Sequence, residues 1–151
     1  MLKLSKKTLY AIEAVLDVAY HMGAQPVQSR DITRRQGIPR RYLEQALQQL
    51  VKADILVGVR GPKGGYRLAR ERRRITVGEI VRVIAGDDTT DELLEDTSGS
   101  DLGIKVVRPL WTDLREAAMA RLDETTIDEM CLKANQSGVE SEGRPNLDFT
   151  I

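Results

Sequence analysis

Apolar residues return at every third or fourth position through the first fifty residues, give way to a short β-branched run, and then resume helical spacing. Leu9, Ile12, Val15, Leu16 and Ala19 follow Ser5, a good helix cap, and predict a first helix over 6–22 that stops near Gly23. Gln25-Pro26-Val27 reads as a short extended connection. Ser29 is placed to cap a second helix over 30–36, with Ile32 turned inward and Gly37 ending it. Ile38-Pro39 follows at once, and proline is tolerated where a helix begins, so a third helix is expected from about there to Lys52. Its inward face is Tyr42 or Leu43, then Ala46, Leu47, Leu50 and Val51. Two short helices joined by a glycine-containing turn match a helix-turn-helix.

The period then changes. Ile55-Leu56-Val57-Gly58-Val59 and Tyr66-Arg67-Leu68 flank Arg60-Gly61-Pro62-Lys63-Gly64-Gly65, which predicts a β-hairpin with a cationic, glycine-rich tip. Thr76-Val77-Gly78-Glu79 has the form of a capping box and opens a fourth helix through Ile80, Val81, Val83 and Ile84, ending by Gly86. Residues 87–101 contain seven acids with little apolar content and read as a mobile loop. Val106, Val107, Leu110, Trp111, Leu114, Ala117, Ala118 and Leu122 then form one long apolar stripe, and Thr126-Ile127-Asp128-Glu129 opens a last short helix.

The expected fold is therefore mainly α with a small β-hairpin: a winged helix-turn-helix domain plus a long carboxy-terminal dimerisation helix. The expected boundaries are 1–86 for the DNA-binding domain, 87–104 for the acidic linker, 105–135 for the dimerisation helices and 136–151 for a disordered polar tail.

Composition sharpens this picture through its asymmetry. The 151 residues are formally neutral, yet residues 1–86 hold 17 Lys and Arg against 7 Asp and Glu, a net of +10, while residues 87–151 hold 6 against 16, a net of −10. A basic block built of helices is the footprint of a module that displaces counterions from nucleic acid. No stretch approaches the roughly 20 apolar residues of a membrane span. Glu13 and Asp17 interrupt any secretory hydrophobic region after Lys3, Lys6 and Lys7, and a single cysteine fits a reducing cytoplasm.

In a winged helix-turn-helix the second helix of the motif enters the major groove and the wing reaches the adjacent backbone or minor groove. The exposed face of the third helix offers Arg40, Arg41, Glu44, Gln45 and Gln48. Arginine can pair with guanine, glutamine with adenine, and a carboxylate can accept from cytosine. At the tip, Arg60 and Lys63 supply charge, while Gly61, Gly64 and Gly65 allow close backbone approach. Ser29, Arg30 and Tyr42 complete the expected DNA-contacting set.

Three stretches carry a family resemblance: Asp31-Ile32 through Gln36-Gly37-Ile38 to Tyr42-Leu43-Glu44-Gln45; Val59-Arg60-Gly61-Pro62-Lys63-Gly64-Gly65-Tyr66; and Thr76-Val77-Gly78-Glu79-Ile80. Together with Leu110-Trp111 and Asp113-Leu114, they resemble the Rrf-two family of bacterial winged-helix transcription regulators over most of residues 1–134. The resemblance implies a homodimer on a palindromic operator of double-stranded DNA, with the long helix crossing to the partner subunit. It also implies that Arg41, Tyr42 and Glu44 are recognition-helix contacts and that Arg60 with its glycines is the wing contact. A dimer follows independently from the stripe, since Val107, Leu110, Trp111, Leu114, Ala118 and Leu122 need another surface to cover them. Some packing of that stripe against the first helix is also expected.

Members of that family that bind an iron–sulfur cluster hold it with three cysteines in the loop after the fourth helix. Here that loop has neither cysteine nor histidine, so no cluster, no other cofactor and no metal is expected. Cys131 reads as a buried structural thiol, and His21 as a residue placed against the end of the first helix. No nucleophile–base pair, phosphate loop or metal triad points to an enzyme. A second function class stays open: a regulatory interaction protein controlled by docking of a metabolic enzyme or other protein, or by a small molecule, with DNA binding secondary.

Overall fold

The computed structural model describes residues 5–85 and 98–143. Its helices are α1 (Lys6–His21), α2 (Ser29–Gln36), α3 (Arg40–Lys52), α4 (Val77–Ala85), α5 (Arg108–Glu124) and α6 (Ile127–Gln136), and its strands are β1 (Leu56–Val59) and β2 (Gly65–Leu68). The Ser5 hydroxyl accepts the Thr8 N–H at 3.3 Å, satisfying one of the donors left open where a helix starts. Gly37 ends α2 in the left-handed region at φ 67° and returns its N–H to the Thr33 carbonyl at 2.9 Å. Ser29 does not cap α2 as expected. Gln28 stands in that position, without a side-chain bond, and Ser29 is the first helical residue.

The buried face of α1 is broader than the expected stripe and is shifted from it. Ala11, Ala14, Val15, Val18 and Ala19 are buried, Ile12 and Leu16 are half-buried, and Leu9 is exposed. Neighbours explain the rotation: α1 packs against α2, α3, α4, α6 and β2, so its small side chains lie where other elements approach most closely. Ile32, Leu43, Leu47, Leu50, Ile75 and Ile80 complete a single core around it. Leu43, not Tyr42, takes the inward position on α3.

β1 and β2 form an antiparallel pair with Leu56 opposite Leu68 and Val59 opposite Gly65. Val27, in the connection between α1 and α2, adds a one-residue bridge: its N–H reaches the Tyr66 carbonyl at 3.0 Å, and the Tyr66 N–H reaches its carbonyl at 2.7 Å. The hairpin is thereby tied to the helix-turn-helix through backbone bonds.

Thr76 and Thr126 each accept the N–H three residues on, at 3.2 and 3.1 Å, as the two capping boxes predict. The segments they open are joined to each other. The Val77 N–H bonds to the Thr125 carbonyl and the Ile127 N–H to the Ile75 carbonyl, both at 2.9 Å. A Cβ on Gly78 would stand 2.0 Å from an Asp123 carboxylate oxygen, so glycine is what lets α4 and the end of α5 come this close. Arg82 closes the junction with a fork onto Asp123, one arm at 2.6 Å.

Ile127 and Cys131 of α6 lie in the same core as α1. The stretch expected as dimerisation helices, 105–135, thus divides: α6 belongs to the amino-terminal core, while α5 meets that core only toward its carboxy-terminal end, through Met119 and Leu122. The tail differs as well. Residues 136–143, expected to be disordered, fold back onto the end of α1, while residues 144–151 lie outside the described residues.

Among the described residues the core holds one fully buried carboxylate. Asp17 accepts from Arg35 Nε at 2.9 Å and Nη2 at 2.7 Å, and from Gln36 Nε2 at 2.8 Å. Three charge-assisted bonds satisfy the acid and clamp α2 to α1. Breaking a buried pair by removing one partner strands the other charge. Asp17→Ala should therefore lower unfolding stability by about 3 kcal/mol in urea titrations, against at most about 0.5 kcal/mol for the exposed Glu124→Ala.

Candidate nucleic-acid interface

The amino-terminal end of α3 presents its polar side chains to solvent because Leu43, Ala46, Leu47 and Leu50 take the buried face. Arg40, Arg41, Glu44, Gln45 and Gln48 are all exposed. Arg40 and Glu44 are paired at 2.9 Å, one helical turn apart, so Glu44 meets a ligand already partnered. Tyr42 is exposed and its ring lies 6.0 Å from that of Tyr10, tilted by 41°, which restrains it beside the helix start.

At α2 the first N–H groups to bond within the chain are those of Asp31 and Ile32, both to Gln28. Ser29 and Arg30 thus stand in the first turn of α2, with the Arg30 side chain exposed. Such a helix start favours an anion such as a backbone phosphate.

The wing tip departs from the sequence reading in what its glycines do. Gly61 has φ 114°, a conformation that side chains resist, and its carbonyl accepts the Gly64 N–H at 2.9 Å to close the turn. A Cβ on Gly64 would meet the Val59 carbonyl oxygen at 2.2 Å, and one on Gly65 the Val27 carbonyl oxygen at 2.3 Å. Gly64 and Gly65 therefore serve close approach inside the chain. Arg60 and Lys63 stand exposed at the tip, free of ion pairs with the described residues. β1 leaves the end of α3 by a sharp turn at Asp54, φ 60°, and packs against that helix, so the wing is built directly onto α3.

Before α5 the backbone widens into a π-helical turn, Gly103–Val107. Of the stripe residues, Val106, Val107, Leu110 (58% exposed), Trp111 (43%) and Leu114 (50%) face solvent, joined by Leu102. Ala118 is half-buried, and Leu122 packs against the core with Met119. The stripe is therefore covered at its carboxy-terminal end by the chain's own core and bare along the rest.

Several features escaped the sequence. Glu13 and Asp17 register there only as charges that spoil a signal peptide, yet Asp17 is buried. A polar residue at a helix position flanked by Ala14 and Val18 is the signal that could have marked it. His21 does more than face a helix end: its Nδ1 accepts the Glu142 N–H at 3.0 Å. Glu142 pairs with Arg34 and Arg35, and those two guanidinium groups draw its pKa down to about 2. Cys131 is buried as expected, and burial pushes its thiol pKa up, opposite to the shift a reactive thiolate requires. Among the described residues no three His, Cys, Asp or Glu side chains gather as metal ligands. The acidic stretch at 87–96 lies outside the described residues.

Residues 4–133 match the family model Rrf2, described as "Iron-dependent Transcriptional regulator". The HTH-type transcriptional regulator IscR of Vibrio atlanticus is 36% identical over 99% of this chain and 86% of its own length. IscR of Yersinia enterocolitica is 37% identical over 97% of this chain and 88% of its own. Among solved structures, T. potens IscR superposes with a TM-score of 0.74 at 35% identity, covering 90% of each chain. CymR of B. subtilis, titled its global cysteine regulator, superposes with a TM-score of 0.72 at 29% identity, covering 88% of this chain and 98% of that one. A winged helix-turn-helix with exposed cations on its α3 start and wing, matched over nearly its whole length, places the chain in the Rrf2 family of DNA-binding transcriptional regulators.

Proposed function

We propose that the protein is a sequence-specific repressor that binds a palindromic operator as a homodimer in the cytoplasm, without an iron–sulfur cluster. The observation that carries this reading is the exposed set on the start of α3, Arg40, Arg41, Tyr42, Glu44 and Gln45, together with the exposed Arg60 and Lys63 on the wing that packs against that helix. In this mechanism α3 enters the major groove. Arg41 donates to a guanine edge and Gln45 to an adenine, while Glu44, released from Arg40, accepts from a cytosine amino group. Arg60, Lys63 and the α2 start with Ser29 and Arg30 contact phosphates and fix the register.

The bare stripe on α5 supports a second copy as the partner. Leu110, Trp111 and Leu114 expose apolar surface on a helix whose opposite end is already packed, and a twofold-related α5 would cover it. Two α3 helices would then meet half-sites one helical turn apart. As for iron, a cluster of the family's kind needs thiolates, and the chain's one cysteine, Cys131, is buried in α6. The residues present do not fit such a group, and no step of this mechanism uses one.

Selection of bound fragments from random duplexes by the purified protein should return an inverted repeat, and fragments with no shared repeat would count against the reading. On the selected site, Arg60→Ala or Lys63→Ala should weaken binding uniformly across sequences and reduce the salt slope by about 1. Glu44→Ala should change the preferred base at one position, a shift of about 1–3 kcal/mol in discrimination. In sedimentation, the wild-type protein should run as a dimer of its 16.9 kDa chain, and Leu110→Glu with Leu114→Glu as a folded monomer with weakened operator binding.

A further inference from the structure

Beyond α6 the chain does not run free. The Tyr20 hydroxyl donates to the Val139 carbonyl, and the Ser141 hydroxyl donates to the Tyr20 carbonyl at 2.7 Å. The Glu142 N–H donates to His21 Nδ1 at 3.0 Å. Arg34 reaches both carboxylate oxygens of Glu142, at 3.1 and 3.2 Å, and Arg35 reaches one at 2.6 Å. Two glycines make the approach sterically possible. A Cβ on Gly23 would lie 2.6 Å from the Gly143 carbonyl oxygen, and one on Gly143 would lie 2.0 Å from that of His21. Contacts from backbone, hydroxyl, imidazole and carboxylate, with a glycine on each side, describe a fitted docking of residues 139–143 on the end of α1 and on α2.

We propose that residues 139–143 form a latch that fixes the first helix of the helix-turn-helix pair, and that the latch closes only on an unprotonated His21. An imidazole nitrogen that accepts the Glu142 N–H cannot itself carry a proton. The charged groups facing the ring are Asp17 from α1, Arg34 and Arg35 from α2, and Glu142 from the latch, with Asp31 lining the same cleft. Asp17 Oδ2, 4.0 Å from Nε2 and also engaged by Arg35 and Gln36, favours a ring proton, as does Glu142, while burial and the two guanidinium groups oppose one. Tyr20 packs edge-on against the ring at 5.3 Å.

Burial lowers the His21 pKa from its ordinary 6.5. The contribution of the neutral ring is therefore complete above that pH and is lost as pH falls through the lowered value. Glu142, held down to about 2, keeps its charge through this window, and its own contribution fades only below its ordinary 4.5. Between those two ordinary values His21 alone opens the latch. Arg34 and Arg35 lie in the last turn of α2, before Gly37 and α3, so loosening them loosens the frame that aims the reader helix.

Amide hydrogen exchange on the full-length, DNA-free protein tests this independently of operator binding. After correction for intrinsic rates, peptides covering α2 and residues 139–143 should be protected at about pH 7.5 and exchange roughly tenfold faster at about pH 5.5. His21→Asn supplies an oxygen that can accept the Glu142 N–H and takes no proton, so protection should persist at both values. Glu142→Gln, at an exposed position that leaves the core intact, should speed exchange in α2 at the higher pH and leave α4 unchanged. The proposal is overturned if wild-type exchange in these peptides ignores pH, if His21→Asn keeps the same pH dependence, or if Glu142→Gln leaves α2 protection as it was. Should His21→Asn fail to fold, the wild-type and Glu142→Gln arms still decide.

Discussion

A carboxylate buried in the core can persist only if its charge is answered there, and Asp17 is answered by Arg35 and Gln36 from the neighbouring helix. Much of the molecule is arranged around that demand. The bonds fix the azimuth of α2 on α1, which apolar contact alone would leave loose, since α2 contributes only Ile32 to the core. With α2 set, the left-handed Gly37 sends the chain into α3, and the polar face of α3 has nowhere to point but outward. Val27, between α1 and α2, then carries the same frame to the wing through its two bonds with Tyr66.

Close backbone approach is the second recurring device, and it explains where glycine is needed. Gly65 lets β2 touch Val27, Gly78 lets α4 touch the end of α5, and Gly23 with Gly143 lets the carboxy-terminal segment touch α1. Each removes a side chain where two segments distant in sequence must meet. Joining distant segments ties the wing, the helix-turn-helix and the carboxy-terminal helices into one cooperative unit, with α5 as the element that leaves it.

The local grammar of the chain was legible from sequence. Ser5, Gly37, Thr76 and Thr126 mark helix boundaries through bonds made within a few residues, and the hairpin follows from a β-branched run interrupted by glycine. The exposed basic residues of α3 and the wing were legible for the same reason, because a helix with Leu43, Ala46, Leu47 and Leu50 on one side must expose the rest. What failed depended on contacts across long sequence distances. Nothing near Asp17 announces Arg35, and nothing near His21 announces Glu142, more than a hundred residues on. On α1 the spacing found Val15, Ala19, Ile12 and Leu16, which are buried or packed against the core, but it included the exposed Leu9 and missed Ala11, Ala14 and Val18, because a helix surrounded on several sides buries what fits. A polar tail reads as disordered by composition, although specific polar bonds to Tyr20, His21 and Arg34 hold part of it.

The split between a basic first half and an acidic second half takes on a definite meaning in the folded chain. Asp123 neutralises Arg82, Asp128 neutralises Arg72 at 2.7 Å, and Glu142 neutralises Arg34 and Arg35, so carboxylates of the second half are laid against arginines of the first. As exposed pairs they add little to stability individually. Their effect is on the field. They cancel cations at the junctions with α5, α6 and the tail, while Arg30, Arg41, Arg60 and Lys63 are left without acidic partners among the described residues. Within the described residues this leaves uncompensated cations at the start of α2, the start of α3 and the wing tip, the surfaces proposed above to meet a duplex. Among the described residues, Asp123, Asp128 and Glu142 are thus held by folding against Arg82, Arg72, Arg34 and Arg35, and not against the cations at the start of α3 or at the wing tip.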